Sequence, residues 1–424
     1  MYEQTGTTCL LPKRLPNANF RKLLFYIYQV SATTEFCRIP ARSTTRRDIT
    51  MGGFASKPSA YDTPVDVPSK YFKDFEATLP SMRGKTVVIT GCTTGCGFVA
   101  ARTMAHAGAD VYLLNRPSER AVEAEKSIAM EALNAVSSPP ASPTRSPAAG
   151  GVGSPSKLVR SLSLGNGGVI TSVDCDLADF DSVRRAASIV SRKCAGSGVD
   201  VLCNNAGVMA LPDVATKDGY DVQMQTNHLS HFLLTRELTP ALEKAAELRG
   251  EARVVNHSSG ARNIPRKGLE AKYFGENGGD LGGDGASMLF MGARWVRYGQ
   301  TKLANAAFTV ELDRRLRAKG SKVKAVVATP GFAATNLQVT TAKSGGFHDA
   351  WIFKRMAQSA EDGSIPLLTC MASPGVESGG LYEPAKMRLY GPAKKFALEK
   401  TSVDESAGAM LWEESEKAVG AFEV

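Results

Sequence analysis

Tyr298 and Lys302 have the types and the spacing of an acid–base pair. Residues four apart on a helix lie one above the other, so the lysine ammonium group can approach the phenol. A free tyrosine titrates near 10, and proton transfer near neutral pH requires a pKa lower by about three units, or roughly 4 kcal/mol. A neighbouring cation shifts the tyrosine pKa in that direction. The pair therefore indicates a proton-transfer site, although the same spacing also recurs by chance in helices.

A glycine-rich turn at residues 90–97, TGCTTGCG, points to a nucleotide. It follows a β-branched run and precedes a predicted helix, whose free N–H groups and positive dipole end attract phosphate. Two glycines allow a tight turn and a close approach of the backbone to a pyrophosphate, and the third allows the helix to pack against the strand. We predict a dinucleotide site made by Gly91, Thr93, Gly95, Cys96 and Gly97.

The end of the next predicted strand selects the nucleotide. A carboxylate at this place bonds the ribose 2′-OH of NAD, whereas a basic residue accommodates the 2′-phosphate of NADP. Here the strand ends in Leu113-Leu114-Asn115-Arg116, with no acid. We therefore predict NADP(H) as the cofactor, with NAD less favoured; the alternative is that Arg116 merely faces solvent.

Short apolar runs alternate with helical patterns through most of the chain. The predicted strands are 85–89, 110–114, 168–173, 199–203, 253–257 and 322–327, and the predicted helices are 98–108, 118–136, 180–193, 220–236 and 298–319. This alternation is typical of a parallel sheet covered on both faces, with ligands at the carboxyl ends of the strands. We predict an α/β fold: a Rossmann-type, doubly wound parallel sheet in three α/β/α layers, in a single domain with insertions.

The chain carries a formal charge of +9, from 51 basic and 42 acidic side chains over 424 residues. Residues 1–60 hold a net +6 and residues 137–168 a net +3, so the remainder is neutral. A nucleic-acid partner is not predicted, because its basic patch would lie on the folded body. The eight cysteines form no C-x-x-C pair, which is typical of reduced thiols inside the cell. His228 and His231 lack the further ligands of a metal site, and we predict no metal.

Two segments differ in composition from the rest. We expect residues 1–82 to be a largely disordered extension, in which 1–50 has the acid-poor composition of an organellar transit peptide. Alternatively, MGGFAS at 51–56 matches the N-myristoylation pattern, so that 1–50 would be a removed leader or a gene-model artefact. The predicted location is thus cytoplasmic or peripherally membrane-associated, with organellar targeting by 1–50 as a further hypothesis. The Ser-, Pro- and Gly-rich stretch 137–168 is predicted to be a disordered insertion.

Further motifs follow in a fixed order. NNAG at 204–207 ends the fourth strand, Asn227 lies in the next helix, Ser258-Ser259 ends the fifth strand, and Pro330-Gly331 and Thr335 come after Lys302. Residues 83–335 thereby resemble the short-chain dehydrogenase/reductase family. QTNHLSHF at 225–232 and YGQTKLAN at 298–305 are similar to its branch of retinol dehydrogenases and WW-domain oxidoreductases, near relatives of the light-dependent protochlorophyllide reductases. LWEESEKAVG at 411–420 extends the resemblance, so we place the family domain at 83–424.

The resemblance implies roles for matching residues. Tyr298 would exchange a proton with the substrate oxygen, Lys302 would lower the tyrosine pKa and hold the nicotinamide ribose, and Ser259 would hydrogen-bond the carbonyl oxygen. Asn227 would hold a water in a proton relay towards Lys302. The other implied cofactor residues are Asp176 and Leu177 around the adenine, Thr335 at the carboxamide, and Asn204, Ala206, Gly207, Pro330 and Gly331.

The substrate side departs from the family pattern. Ser259 and Tyr298 are 39 residues apart, with a glycine-rich insertion that we expect to be flexible. Within a predicted substrate-side segment, 336–390, FHDAWIFKRM at 347–356 has the pattern of an apolar lid or of a helix packed on the sheet. We predict a small apolar carbonyl or alcohol as the substrate. The alternatives are a light-dependent pigment reductase and a non-catalytic NADP-binding scaffold, and the family adds a homodimer as a hypothesis.

Overall fold

The computed structural model describes residues 67–136, 159–164, 168–287, 291–343 and 357–424. Within these residues nine strands form one sheet in the order β3-β4-β2-β1-β5-β6-β7-β8-β9. The strands are β1 Thr86–Thr90, β2 Asp110–Asn115, β3 Val159–Ser163, β4 Val169–Asp174, β5 Val201–Asn204, β6 Ala252–His257, β7 Val323–Ala328, β8 Leu381–Lys386 and β9 Tyr390–Phe396. Neighbouring strands pair in parallel except at the two edges, where β3 and β9 run antiparallel.

The helices cover both faces of the sheet. They are α1 Phe72–Glu76, α2 Gly95–His106, α3 Glu119–Val136, α4 Phe180–Lys193, α5 Val222–Met224, α6 Ser230–Arg249, α7 Ala293–Ala318, α8 Asn336–Lys343, α9 Ala360–Ala372 and α10 Glu405–Val419. Helices α4, α6, α7 and α10 share one apolar core with the sheet, and α1, α2, α3 and α9 share the other. The predicted α/β fold with a mostly parallel sheet in three layers is confirmed.

The six predicted strands are all present, each within two residues of its predicted bounds. Their apolar, β-branched residues are buried on both sides, as every residue of β1 is, and such runs are local signals for central parallel strands. Strands β3, β8 and β9 were not predicted. Strands β3 and β9 are the two edge strands and carry polar and charged residues, and β8, beside β9, contains Pro384, which argues against a strand in a sequence pattern.

Part of the stretch 137–168 is ordered, contrary to the prediction. Residues 159–163 form β3, which pairs with β4 from Val159↔Val173 to Ser163↔Val169. Arg160 also binds the buried carboxylate of Glu125 on α3 at 2.8 Å. Cross-strand backbone bonds and this ion pair stabilise a segment whose composition is that of a loop. The rest of the stretch lies outside the described residues, apart from Leu164 and Gly168.

The folded body also begins earlier than residue 83. The Asp362 carboxylate on α9 accepts backbone N–H bonds from Lys70, Tyr71 and Phe72 at 2.8–3.0 Å, and the Phe72 side chain is buried against the core. Residues 67–82 are therefore docked on the body rather than disordered. Residues 1–66, with the leader and myristoylation hypotheses, lie outside the described residues. Among the described helices none is both long and apolar enough to cross a bilayer.

Candidate active site

Tyr298 and Lys302 lie on α7, where the ammonium group approaches the phenol ring as predicted. Lys302 Nζ is 5.8 Å from the centroid of the Tyr298 ring and donates a hydrogen bond to the His257 carbonyl at the end of β6, at 3.1 Å. Both side chains are only 4% exposed. Burial lowers the pKa of Lys302 to about 8, because desolvation disfavours the charged form. The lysine is thus a buried cation that titrates just above neutrality.

The two serines after β6 have different surroundings. Ser258 Oγ is buried and donates to the Lys302 carbonyl at 2.7 Å, so it fastens the strand to α7. Ser259 is half-buried and caps the 3₁₀ helix Gly260–Asn263, where its Oγ accepts the Ala261 N–H at 3.2 Å. A hydroxyl that accepts one bond still has its own hydrogen to donate. Ser259 is therefore the serine that can bind a substrate oxygen.

Asn227 lies in a break in the predicted helix 220–236. The chain forms α5, then a π-helical turn Gln225–Leu229, then α6, and such turns are frequent at functional sites. The fully buried Asn227 amide donates to the Val208 carbonyl and to Thr301 Oγ1, both at 2.9 Å, and accepts the Val208 N–H at 2.8 Å. A Cβ added at Gly207 would lie 3.1 Å from Asn227 Oδ1 and 3.3 Å from Lys302 Nζ. The amide and the ammonium group thus border the same small space.

The glycine turn has the shape that a dinucleotide requires. Gly91 has a φ of +72°, and a Cβ there would lie 2.9 Å from Ala206. At Gly97 a Cβ would lie closer than 3.0 Å to the Gly91 carbonyl and to Asn205 Nδ2, so neither glycine tolerates a side chain. Thr94, at the start of α2, makes no side-chain cap, which leaves the first N–H groups of the helix for an anion.

Thr93 and Cys96 belong to this turn, and Thr335 lies beside it. Thr93 is half-buried, and Cys96 is buried with its thiol 3.8 Å from the Ala360 carbonyl. Burial raises the pKa of Cys96 to about 12. A Cβ at Gly95 would lie 3.2 Å from Thr335. The segment after β7 therefore touches the turn after β1, as a site spanning both strand ends requires.

The residues predicted to bind the adenosine part of the cofactor follow β2 and β4, which are neighbours in the sheet. Arg116 is exposed immediately after β2. Asp176 Oδ1 accepts the Ala178 N–H at 3.0 Å, and the carbonyl of the buried Leu177 accepts Ser230 Oγ at 2.6 Å. Asn115, which the sequence did not single out, accepts the Cys92 N–H at 2.7 Å and so joins the strand tip to the glycine turn.

The two asparagines of NNAG have opposite orientations. The Asn204 side chain is buried and donates to Thr235 Oγ1 and Asn256 Oδ1 at 3.0 and 2.9 Å, so the structure does not bring it to the site. Asn205, which sequence reasoning passed over, donates to the Gly91 carbonyl at 3.2 Å and accepts from His257 Nδ1 at 2.8 Å. The signal available in the sequence was the alternation of side chains along a strand, which turns consecutive residues to opposite faces.

The turn after β7 is covered by the hairpin of β8 and β9. Gly331 has a φ of +65°, and a Cβ there would overlap the Leu389 carbonyl. The Pro330 carbonyl accepts Gln358 Nε2 at 2.7 Å. Because β1 and β7 run parallel in the sheet, Pro330 and Gly331 follow β7 at the same edge as the glycine turn that follows β1. Contacts with Leu389 and Gln358, which the sequence motifs do not include, hold them there.

Apolar side chains surround Tyr298 on the substrate side. Ala210, Ala261 and Trp295 form a buried cluster with it, and the Trp295 ring meets the Tyr298 ring edge-on with centroids 6.1 Å apart.

The glycine-rich insertion between Ser259 and Tyr298 is held by hydrogen bonds, contrary to the expected flexibility. Its N–H groups at Gly279, Leu281 and Gly283 donate to the Asp213 carboxylate at 2.8–3.1 Å. Residues 347–356, with the lid hypothesis, lie outside the described residues.

The two candidate metal-site histidines are part of the core. His228 is packed among aromatic rings and bonds Ser415 Oγ at 3.0 Å, and His231 bonds Thr90 Oγ1 at 2.9 Å. Burial lowers their pKa values to about 3 and about 4. In the part of the chain that the structure describes, no three His, Cys, Asp or Glu residues are grouped to hold a metal.

The parallel sheet, the glycine turn after β1 and the Tyr298–Lys302 pair on α7 together have the arrangement of a dinucleotide-binding α/β protein. The family model for short chain dehydrogenases matches residues 154–272. Retinol dehydrogenase 14 of Homo sapiens is 32% identical over 344 residues, which are 80% of this chain and 87% of that protein. Retinol dehydrogenase 13 of Homo sapiens is 30% identical over 379 residues, 88% and 92% of the two chains.

A crystal structure of an uncharacterized protein from Mycobacterium paratuberculosis has a TM-score of 0.56 and 29% identity, over 82% of this chain and 98% of that one. The chain belongs to the short-chain dehydrogenase/reductase family, in its retinol dehydrogenase branch. The family consists of oxidoreductases that act on CH–OH and C=O groups of small substrates with NAD(H) or NADP(H).

Proposed function

We propose that this protein is an NADP(H)-dependent oxidoreductase that interconverts an apolar carbonyl compound and its alcohol. The observation that carries the proposal is the convergence on α7. Lys302 Nζ lies over the Tyr298 ring, the segment of Ser259 is fastened to the Lys302 carbonyl through Ser258, and Asn227 is bonded to Thr301. Groups from three separate parts of the chain meet at one place, at the carboxyl ends of the strands.

NADP(H) is proposed because of the end of β2. Arg116 is exposed there, and no acid follows before Glu119 at the start of α3. A guanidinium group pairs with a 2′-phosphate, whereas NAD recognition uses a carboxylate at this position. Gly91 and Gly97 leave room for the pyrophosphate beside the uncapped start of α2.

The bound nicotinamide supplies or accepts the hydride. Tyr298 gives a proton to the carbonyl oxygen during reduction and takes it from the alcohol during oxidation. Ser259 donates its hydroxyl hydrogen to the same oxygen, where negative charge develops. Lys302 holds a positive charge beside the phenol, and Asn227, next to Gly207, orders a water that returns protons towards the lysine.

An apolar substrate is proposed from the surroundings of Tyr298. The cluster of Ala210, Ala261 and Trp295 provides no charged side chain, and the partly buried Met209 and Ile264 extend it. Such a surface favours aliphatic or aromatic aldehydes, ketones and alcohols through burial of apolar area.

The test is an NADPH-oxidation assay over a panel of apolar aldehydes and ketones, in the dark, with Tyr298→Phe beside the wild type. Loss of the phenolic hydroxyl is expected to lower kcat by about 10²- to 10⁴-fold without weakening NADPH binding. Tyr273→Phe, on the 3₁₀ helix Ala271–Tyr273, is the matched control and retains activity. Equal inactivity of wild type and Tyr298→Phe with NADPH bound would favour a scaffold, and turnover that requires visible light would favour a pigment reductase.

A further inference from the structure

A buried arginine follows the active-site serine by three residues. Arg262 lies in the 3₁₀ helix Gly260–Asn263, and its side chain is 1% exposed. Its Nε and Nη2 donate to the two carboxylate oxygens of Glu399 at 2.9 and 2.8 Å, and its Nη1 donates to Glu383 Oε1 at 2.9 Å. The bidentate pair with Glu399 fixes the plane of the guanidinium group as well as its position.

The same guanidinium group reaches the backbone of the serine. Arg262 Nη1 donates to the Ser259 carbonyl at 3.1 Å. Glu383 Oε1 also accepts from Thr329 Oγ1 at 2.7 Å, immediately before Pro330. The segments that follow β6 and β7 are thus joined through the buried pair of Arg262 and Glu383. They lie at the edge of the sheet formed by the carboxyl ends of the strands, where the nicotinamide would bind.

A second arginine, in the hairpin of β8 and β9, balances the charge of the two glutamates. Arg388 Nη1 lies 3.0 Å from Glu383 Oε2 and 2.9 Å from Glu399 Oε1, so two arginines face two carboxylates. Met387 and Arg388 have φ values of 58° and 59°. Residues other than glycine rarely adopt this backbone conformation, and it persists where the surroundings hold it. Here the ion pairs of Arg388 hold the turn.

The 3₁₀ helix is also held from the opposite side. A Cβ at Gly299, next to Tyr298 on α7, would lie 3.0 Å from the Ala261 carbonyl and 2.9 Å from Ile264. The segment that carries Ser259 is therefore confined between α7 and the guanidinium group. The contacts of Arg262 are thus one of the supports of this segment.

We infer that Arg262 is a positioning residue: held by Glu383 and Glu399, it fixes the Ser259 backbone so that the serine hydroxyl meets the substrate oxygen. This inference rests on the proposed function, in which Ser259 binds that oxygen. It also makes the β8–β9 hairpin part of the support of the active site. Neither Arg262 nor the two glutamates belongs to the sequence motifs that mark the site.

The test is a double-mutant cycle between Arg262→Lys and Ser259→Ala. A lysine keeps the charge but cannot form the forked contacts. Arg262→Lys is expected to lower kcat by about 10- to 100-fold, as small displacements of a reacting group do, while the Kd for NADPH changes less than about twofold. In the Ser259→Ala background the same substitution is expected to change kcat less than about twofold, because the group through which it acts is absent. Equal losses in both backgrounds would overturn the inference.

Arg253→Lys is the matched control. Arg253 is also buried and pairs with Glu251. It lies at the start of β6, away from Ser259, and donates to the carbonyls of Cys370 and Ser373 at the end of α9. Its replacement is expected to lower the melting temperature without lowering kcat. If Arg262→Lys does not fold, Glu399→Gln enters the same cycle, since Glu399 is 25% exposed and its replacement is expected to destabilise the protein less.

Amide hydrogen exchange supplies a readout that needs no turnover. The peptide covering residues 257–264 is expected to exchange faster in Arg262→Lys than in the wild type, and unchanged exchange would overturn the inference. Faster exchange in a protein whose wild type reduces no carbonyl compound would leave the positioning of Ser259 standing and reject the proposed function.

Discussion

Replacing Lys302 with methionine is expected to abolish oxidoreductase activity and to raise the free energy of unfolding at pH 7. Burial lowers the pKa of Lys302 from 10.5 to about 8. One pKa unit corresponds to 1.36 kcal/mol, so the buried charge destabilises the folded state by roughly 3 kcal/mol at pH 7. The unfolded chain holds this proton up to about pH 10.5, and the folded chain only up to about 8. The stability of the wild type therefore rises with pH across that window.

The substitution also removes a favourable contact. Methionine has a flexible stem of similar length and fills the same space, but the bond from Lys302 Nζ to the His257 carbonyl is lost, at a cost of about 1 kcal/mol. That carbonyl keeps a second donor, Asn305 Nδ2 at 3.1 Å. The net expectation is a gain of about 2 kcal/mol at pH 7, which shrinks towards zero by pH 10.

Denaturant unfolding of wild type and Lys302→Met at pH 7 and pH 10 measures this difference. Lys319→Met is the control, because Lys319 is exposed at the end of the same helix. Its effect is expected to stay within about 0.5 kcal/mol at both pH values. A Lys302→Met variant that is less stable than the wild type at pH 7, or equally stabilised at both pH values, would refute the argument from the buried charge.

Two further substitutions test the nucleotide site. Gly97→Ala places a Cβ closer than 3.0 Å to the Gly91 carbonyl and Asn205 Nδ2. We therefore expect it to lower the free energy of unfolding by about 1–3 kcal/mol and to weaken NADPH binding at least about tenfold. The control is Gly196→Ala, where a Cβ has nothing within 4 Å; it is expected to match the wild type in thermal melts and fluorescence titrations. Arg116→Asp provides an acceptor for the 2′-OH of NAD and repels a 2′-phosphate, so the ratio of kcat/KM for NADPH over NADH is expected to fall by at least about tenfold, and an unchanged ratio would contradict the role of Arg116.

Local patterns were enough to predict the central elements. The helix predicted at 180–193 has the same bounds as α4. The strand predicted at 110–114 is one residue longer in the structure and ends at Asn115. These segments carry their own periodicity and lie where the sheet buries both faces. The order of the glycine turn, Asn227, Ser259 and Tyr298 marked the site for the same reason: each residue follows a strand end or lies on a helix that the pattern identifies.

Other features depend on contacts between distant residues. The π-helical turn at Asn227 interrupts a pattern that predicts one continuous helix. Strand β3 is ordered by β4 and by Glu125, within a stretch whose composition predicts disorder. The membrane contact, the homodimer and the role of residues 1–50 stay predictions, and the described residues do not include the leader or the lid segment.

The sequence by itself determined the class of fold, the strand ends that carry polar residues, and the pairing of Tyr298 with Lys302 four residues on. These properties follow from the periods of helix and strand, which act within one turn or one strand. Only the tertiary structure decided which serine is free to donate, which asparagine supports the glycine turn, and that Arg262 reaches Glu383 across 121 positions of the chain. Burial and hydrogen bonding between segments far apart in the chain cannot be read from local spacing, because they exist only when the sheet has assembled.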